Sequence, residues 1–268
     1  MGWRILVFDS GMGGLTVAAA IRAELPAAEL VYAADSAAFP YGAWREEALV
    51  ARIETVVARL IEEIEPDAVV IACNTASTLA LPQLRSRHAL PFVGTVPAIK
   101  PAAAQTQSRI IGVLATPGTV AREYTKALIH TYAFHCQVIL HGAPRLAEMA
   151  EAQLAGAAPD HSAIAREIAP VFRLIDGART DVVVLGCTHY PLLLPELRIA
   201  APWPVTFIDP APAIARRTAA VVASLAAAPP ARPHQMPGLV CFTDRREPAA
   251  AYAAMGFDQV RIVAMPVA

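Results

Sequence analysis

The feature that most constrains this chain occurs more than once: an unbroken apolar run that stops at a cluster of small polar residues. Val69-Val70-Ile71-Ala72 leads into Cys73-Asn74-Thr75, and Val183-Val184-Leu185-Gly186 leads into Cys187-Thr188-His189. Residues 4–8 likewise run into Asp9-Ser10-Gly11-Met12-Gly13-Gly14. A strand with one face in water alternates apolar and polar residues, whereas one covered on both faces does not. Such runs predict a parallel sheet flanked by helices. Their polar ends fall where open α/β sheets place ligands.

The intervening segments complete the pattern. A helix over 15–25 follows the glycine turn, then a strand over 30–33 that ends at Asp35. The loop Phe39-Pro40-Tyr41-Gly42 precedes an amphipathic helix over 46–64, and Pro66 opens the strand that carries Cys73. The order then restarts. A strand over 109–114 meets the turn Ala115-Thr116-Pro117-Gly118-Thr119, followed by a helix over 120–131, a strand over 137–140 and a helical region over 162–176. The strand carrying Cys187 comes next. Ser10 and Thr116 are 106 positions apart, Cys73 and Cys187 are 114 apart, and offsets so nearly equal argue for a duplicated βαβ-type unit. A strand over 205–208, a helix from 213, a proline-rich loop over 229–237 and strands over 239–243 and 260–263 are too few for a third domain. They are expected to complete the first sheet.

The expected fold class is therefore α/β. It comprises two similar doubly wound parallel-sheet domains related by pseudo-two-fold symmetry, with the active site in the cleft between them. The first would hold residues 1–96 and 209–268 and carry Cys73; the second would hold 97–208 and carry Cys187.

Composition removes several functions. The formal charge of −1 over 268 residues offers no basic face for nucleic acid. The alanine-rich stretch over 219–228, between Arg217 and Pro229, is too short for a membrane span and reads as a buried helix. One basic residue and then a strand at the N-terminus show no signal peptide, so a cytoplasmic protein is expected. The high apolar content admits a homodimer.

The cysteines at 73, 136, 187 and 241 are each more than about fifty residues apart and form no Cys-x-x-Cys pair, which argues against a metal site. Disulfides are not expected in a reducing compartment. Cys136 and Cys241 read as small buried hydrophobes. Cys73 and Cys187 differ because each adjoins polar groups and because they match each other.

The glycine turn imitates a dinucleotide site, with Gly11-x-Gly13 after a strand and Asp35 ending the next. Thr16 holds the third glycine position, however, and Asp9 would face the pyrophosphate. Cys187-Thr188-His189 could be a thiol nucleophile with its base, as in an amidase, but that scheme leaves Cys73-Asn74-Thr75 without a role. A two-base scheme uses both cysteines, one removing an α-proton as thiolate and the other returning a proton to the opposite face. An ordinary thiol, with a pKa of about 8.5, reaches either form near neutrality. Asp9 and His189 are natural helpers, and Ser10, Asn74, Thr75 and Thr188 offer short neutral donors to a substrate.

Four segments then converge on one family. Phe8-Asp9-Ser10-Gly11-Met12-Gly13-Gly14-Leu15-Thr16-Val17, Phe39-Pro40-Tyr41-Gly42, Ala72-Cys73-Asn74-Thr75-Ala76-Ser77 and Gly186-Cys187-Thr188-His189-Tyr190-Pro191-Leu192-Leu193 resemble the signature segments of the glutamate racemases, within the aspartate/glutamate racemase superfamily. Weaker likeness appears at Val96-Pro97-Ala98-Ile99-Lys100 and at Ala115-Thr116-Pro117-Gly118-Thr119-Val120. The resemblance implies a cofactor-independent, metal-free isomerase that interconverts L- and D-glutamate and supplies D-glutamate for peptidoglycan. It implies Cys73 and Cys187 as the acid/base pair, assisted by Asp9, His189 and a second-lobe glutamate. Glu151 is the best match for that glutamate and Glu148 is its rival. Asp9, Ser10, Tyr41, Gly42, Asn74, Thr75, Thr188 and His189 would bind substrate. The chain departs from the family pattern at Gly142-Ala143-Pro144, which lacks a usual cysteine, and at Asp209-Pro210-Ala211. A racemase of aspartate or another amino acid, a thiol amidase and a cleft-containing regulatory binding protein stand as alternatives.

Overall fold

The computed structural model describes residues 2–225, 228–232, 234–244 and 250–264. Twelve strands lie within these residues: β1 (Arg4–Asp9), β2 (Glu29–Ala34), β3 (Ala68–Ile71), β4 (Phe92–Gly94), β5 (Ile110–Ala115), β6 (Gln137–Gly142), β7 (Leu174–Ile175), β8 (Ala178–Arg179), β9 (Val182–Gly186), β10 (Thr206–Ile208), β11 (Leu239–Phe242) and β12 (Gln259–Ile262). The chain forms two compact units, Met1–Thr95 with Ala211–Ala268, and Val96–Pro210.

The first unit is built on a six-stranded sheet of order β12-β11-β2-β1-β3-β4, parallel throughout. The second has a four-stranded parallel sheet of order β10-β9-β5-β6. Both are α/β sheets of the expected class, and neither closes into a barrel. From its first strand each chain segment adds one neighbour on one side, β2 or β6, and then reverses to add β3 and β4, or β9 and β10. That reversal is the topological switch point where open α/β sheets hold ligands. Cys73 and Cys187 each follow the first strand laid down after it.

Burial accounts for the continuous runs. Every residue of β1, β3, β5 and β9 is buried. The helix Glu46–Ile64 turns Leu49, Ile53, Val56, Val57, Leu60 and Ile64 onto the first sheet, a 3.6-residue stripe. Residues 239–242 return to pair with β2, and β12 pairs with β11. At the amino ends of these strands Arg4 is 2% exposed, and its guanidinium donates to Glu29 and to the carbonyls of Ile64 and His234. That polar network anchors the sheet at the end opposite its carboxyl edge.

Three expected elements differ. The helical region over 162–176 stops early: the helix His161–Ile168 gives way to a 3-10 turn, Ala169–Val171. An antiparallel hairpin, β7 with β8, follows around Asp176 and Gly177. Both turn residues have positive φ, 51° and 82°, as an Asp-Gly hairpin turn requires. The helix expected over 120–131 is two helices, Pro117–Ala121 and Glu123–Tyr132, broken at the extended Arg122. The alanine-rich helix spans Ala211–Ala223; of its expected continuation to 228, residues 226 and 227 lie outside the described residues. Position 233 of the proline-rich loop does too.

Candidate active site

Register builds the first half of the site. Phe8 pairs with Ile71 and Asp9 with Ala34, so the residues just past β1, β2 and β3 come together. The Asp9 carboxylate accepts from the Ser10 N–H at 2.6 Å and the Ser10 hydroxyl at 3.3 Å, and from the Gly14 N–H. The glycine turn is thus folded around its own aspartate, leaving these amides no phosphate to hold. A Cβ at Gly14 would stand 2.8 Å from the Tyr32 hydroxyl and 2.9 Å from Asp9 Cβ, so the close approach needs glycine.

Ser10 Oγ lies 3.9 Å from Cys73 Sγ and connects Asp9 to the thiol. Cys73 is 6% exposed and sits at the N-cap of the helix Asn74–Arg87, an end that favours negative charge. Asn74 is buried, and neither atom of its side-chain amide has a hydrogen-bond partner. Buried amides are almost always satisfied. Asn74 follows Cys73 directly and opens the helix Asn74–Arg87. Thr75 is buried beside it, and Gly42 is exposed.

Tyr41 is buried with its hydroxyl donating to Asp35 Oδ2 at 2.7 Å. Asp35 also takes Arg52 Nε at 2.7 Å, an Arg52 terminal nitrogen at 2.6 Å and the Thr243 hydroxyl at 2.7 Å. Burial first, and the Asp35 carboxylate second, hold the Tyr41 phenol well above its ordinary range. The phenol is committed to Asp35, so the Tyr41–Ala43 turn offers backbone groups rather than a free hydroxyl.

In the second unit Ala115 pairs with Gly186, which sets Thr116 beside Cys187. Gly186 is required here, because a Cβ would lie 2.9 Å from Ala115 Cβ and 3.0 Å from the Leu114 carbonyl oxygen. Cys187 is 5% exposed, with its sulfur 3.8 Å from His189 Nδ1. His189 Nε2 lies 3.0 Å from Glu151 Oε1, an ion pair whenever the imidazole is protonated. Glu151 reaches in from the helix Leu146–Leu154, whereas Glu148 on the same helix is exposed. The result is a relay of carboxylate, imidazole and thiol, with Thr188 buried beside it. Cys241 is enclosed in β11, where burial pushes its thiol up to about 12, and burial also raises the thiol of the half-buried Cys136.

The family described as Asp/Glu/Hydantoin racemase matches residues 15–218. The glutamate racemase of Brucella anthropi is 54% identical over 219 residues, covering 81% of this chain and 79% of its own. The chain belongs to the Asp/Glu/hydantoin racemase family. A second member, the glutamate racemase of Brucella canis, is 51% identical over 248 residues, 90% of this chain and 87% of its own. Among solved structures, Escherichia coli glutamate racemase in complex with L-glutamate and the activator UDP-MurNAc-Ala matches with a TM-score of 0.90 at 39% identity over 99% of both chains. A glutamate racemase isoform from Bacillus anthracis matches at 0.79 and 27% identity, again over 99% of both. Both matches extend over the two α/β units of this chain.

Asp35, Arg52 and Thr243 gather around the Tyr41 hydroxyl, yet only Asp35 stands in a sequence motif, after the strand β2. Arg52 and Thr243 carried no signal, because their partner is 17 and 208 positions away. Among the described residues no helix is long and apolar enough to cross a membrane.

Proposed function

We propose that the protein interconverts L- and D-glutamate without a cofactor, supplying D-glutamate for peptidoglycan, and that Cys73 and Cys187 act on opposite faces of one α-carbon. The carrying observation is the pair of buried cysteines at equivalent strand ends, each with its own polar support. Ser10 and Asp9 stand at the first, His189 and Glu151 at the second.

One thiolate takes the α-proton, and the C–H electron pair moves into the substrate carboxylate. The opposite thiol then delivers its proton to the other face and becomes the thiolate. Each turnover exchanges the protonation states of the two sulfurs, so a turnover in the opposite direction restores them. The difficult step is generating carbanion character beside an ionised carboxylate. Fixed donors aimed at that carboxylate in a water-poor site lower its cost, and Asn74, Thr75, Thr188, Ser10 and the Tyr41–Gly42 backbone are the donors assigned here. Glutamate is favoured over aspartate because family members more than 50% identical over most of this chain are glutamate racemases.

Incubation with either glutamate enantiomer in deuterated water tests the reading. Loss of optical activity with one α-deuterium incorporated per inversion is expected. A requirement for added pyridoxal phosphate, or turnover of aspartate but not glutamate, would overturn it.

A further inference from the structure

The two cysteine turns share a construction that their sequences do not. The Ser77 N–H donates to the Cys73 carbonyl at 2.8 Å, and the Tyr190 N–H donates to the Cys187 carbonyl at 3.1 Å, so each residue closes the turn that begins at a thiol. Each then applies a buried hydroxyl to strand ends. Ser77 Oγ donates to the Ile71 carbonyl at 2.9 Å and accepts from the Thr95 N–H at 3.0 Å, joining the carboxyl ends of β3 and β4. The Tyr190 hydroxyl lies 3.0 Å from the Ala115 carbonyl oxygen and 3.1 Å from that of Ala143, its one hydrogen serving both. It thereby joins the ends of β5 and β6 to the Cys187 turn.

A serine and a tyrosine have unrelated shapes, yet here they do the same work. Both are buried, Ser77 at 4% and Tyr190 at 0% exposure, and neither hydroxyl is spare for a substrate. Burial, followed by the neighbouring Cys187 and Glu167, holds the Tyr190 phenol well above its ordinary range, so it remains a donor across any working pH. Loss of the Ser77 hydroxyl removes a partner from the Ile71 carbonyl and the Thr95 N–H; loss of the Tyr190 hydroxyl removes one from the Ala143 carbonyl and a second one from the Ala115 carbonyl, which also accepts from the Ala143 N–H.

We propose that Ser77 and Tyr190 are the positioning residues of the two thiols, Ser77 for Cys73 and Tyr190 for Cys187. The inference rests on the two-thiol reading above. It concerns aim rather than chemistry, since neither residue touches the reacting atoms.

Because the two enantiomers are equal in free energy, kcat/KM must fall equally in both directions and cannot show which thiol has been disturbed. Isotope effects can. The intact chain and its Ser77→Ala and Tyr190→Phe variants are assayed with α-deuterated L-glutamate and, separately, α-deuterated D-glutamate. Each labelled enantiomer reports the step at the sulfur that removes its proton. A misplacement on the order of 1 Å costs up to about 100-fold in rate, and a loss of kcat/KM of about 10–100-fold is expected in both variants. Ser77→Ala should raise the isotope effect for one enantiomer and lower it for the other; Tyr190→Phe should do the reverse. Destabilisation alone would reduce the active fraction and leave both isotope effects at their wild-type values. Unchanged isotope effects in folded variants, or shifts in the same sense for both, would overturn the proposal. If Tyr190→Phe does not fold, Ser77→Ala must still polarise the pair of isotope effects, and failure to do so overturns it. A wild-type chain that does not racemise glutamate would instead refute the functional reading.

Discussion

Arg52→Met tests how the Tyr41–Gly42 turn is held. Asp35 is fully buried and its partner Arg52 is 21% exposed; the guanidinium bonds both carboxylate oxygens, at 2.6 and 2.7 Å. Methionine keeps much of the apolar stem and removes the charge. Asp35 is left buried with the Tyr41 and Thr243 hydroxyls as neutral donors. Breaking a buried ion pair from one side costs about 3–5 kcal/mol. The lower end, about 3 kcal/mol, applies because Arg52 is partly solvated and two donors remain. For a unit of this size that corresponds to a fall in Tm of roughly 6–12 °C. Urea unfolding of wild type, Arg52→Met, Asp35→Asn and the double variant supplies the assay. The double variant should be more stable than the sum of the single losses by about 1.5 kcal/mol or more, since no buried charge is then stranded. KM for glutamate should rise more than kcat falls, because the turn is proposed to bind rather than to react. A single-variant cost under about 1 kcal/mol with an additive cycle would mean that the pair is worth no more than a surface ion pair, and the anchoring argument would fail.

Three further outcomes follow from the geometry. Cys73→Ser and Cys187→Ser should each abolish racemisation yet retain one-sided proton abstraction from a substrate with a β-leaving group, as measured by elimination; racemisation near the wild-type rate in either would end the two-thiol scheme. Glu151→Gln should lower kcat by about 10–100-fold, from the loss of a charge-assisted hydrogen bond worth about 1.5–3 kcal/mol, whereas Glu148→Gln should leave kcat near wild type; equal effects would remove Glu151 from the relay. Cys241 keeps its proton in the folded chain up to about pH 12, while the unfolded thiol loses its proton at lower pH. The unfolded state then binds fewer protons, so stability should fall as pH rises above the unfolded thiol's pKa, by up to about 1.4 kcal/mol per pH unit. Cys241→Ala should flatten that slope in denaturant titrations from pH 8 to 11.

What the sequence made legible was whatever short-range chemistry determines. A short apolar run ending in the polar clusters at Asp9, Cys73 or Cys187 is legible as a buried strand, because its length and the turn residues that bound it fit a strand covered on both faces. The Asp176-Gly177 turn signal is also present in the sequence, and it prevails over the helix expected to run to 176, which ends at Ile168. The Asp35 cluster was not legible by any local rule. Thr243 joins it only because β11 pairs with β2 in a register that sets Phe242 opposite Ala34 and so delivers Thr243 to Asp35.

The same distinction explains why the two thiols look alike and are supported differently. Their likeness is topological, since each follows the strand laid down after the sheet reverses, and a duplicated βαβ-type unit would carry that with it. The supports depend on side chains that topology does not fix. At Cys73 the helper arrives from the neighbouring strand, through Ser10 and the glycine turn that encloses Asp9. At Cys187 it arrives from two residues further along the same turn, with Glu151 behind it on a separate helix. The two half-sites therefore give their sulfurs different neighbours, a hydroxyl at one and an imidazole at the other.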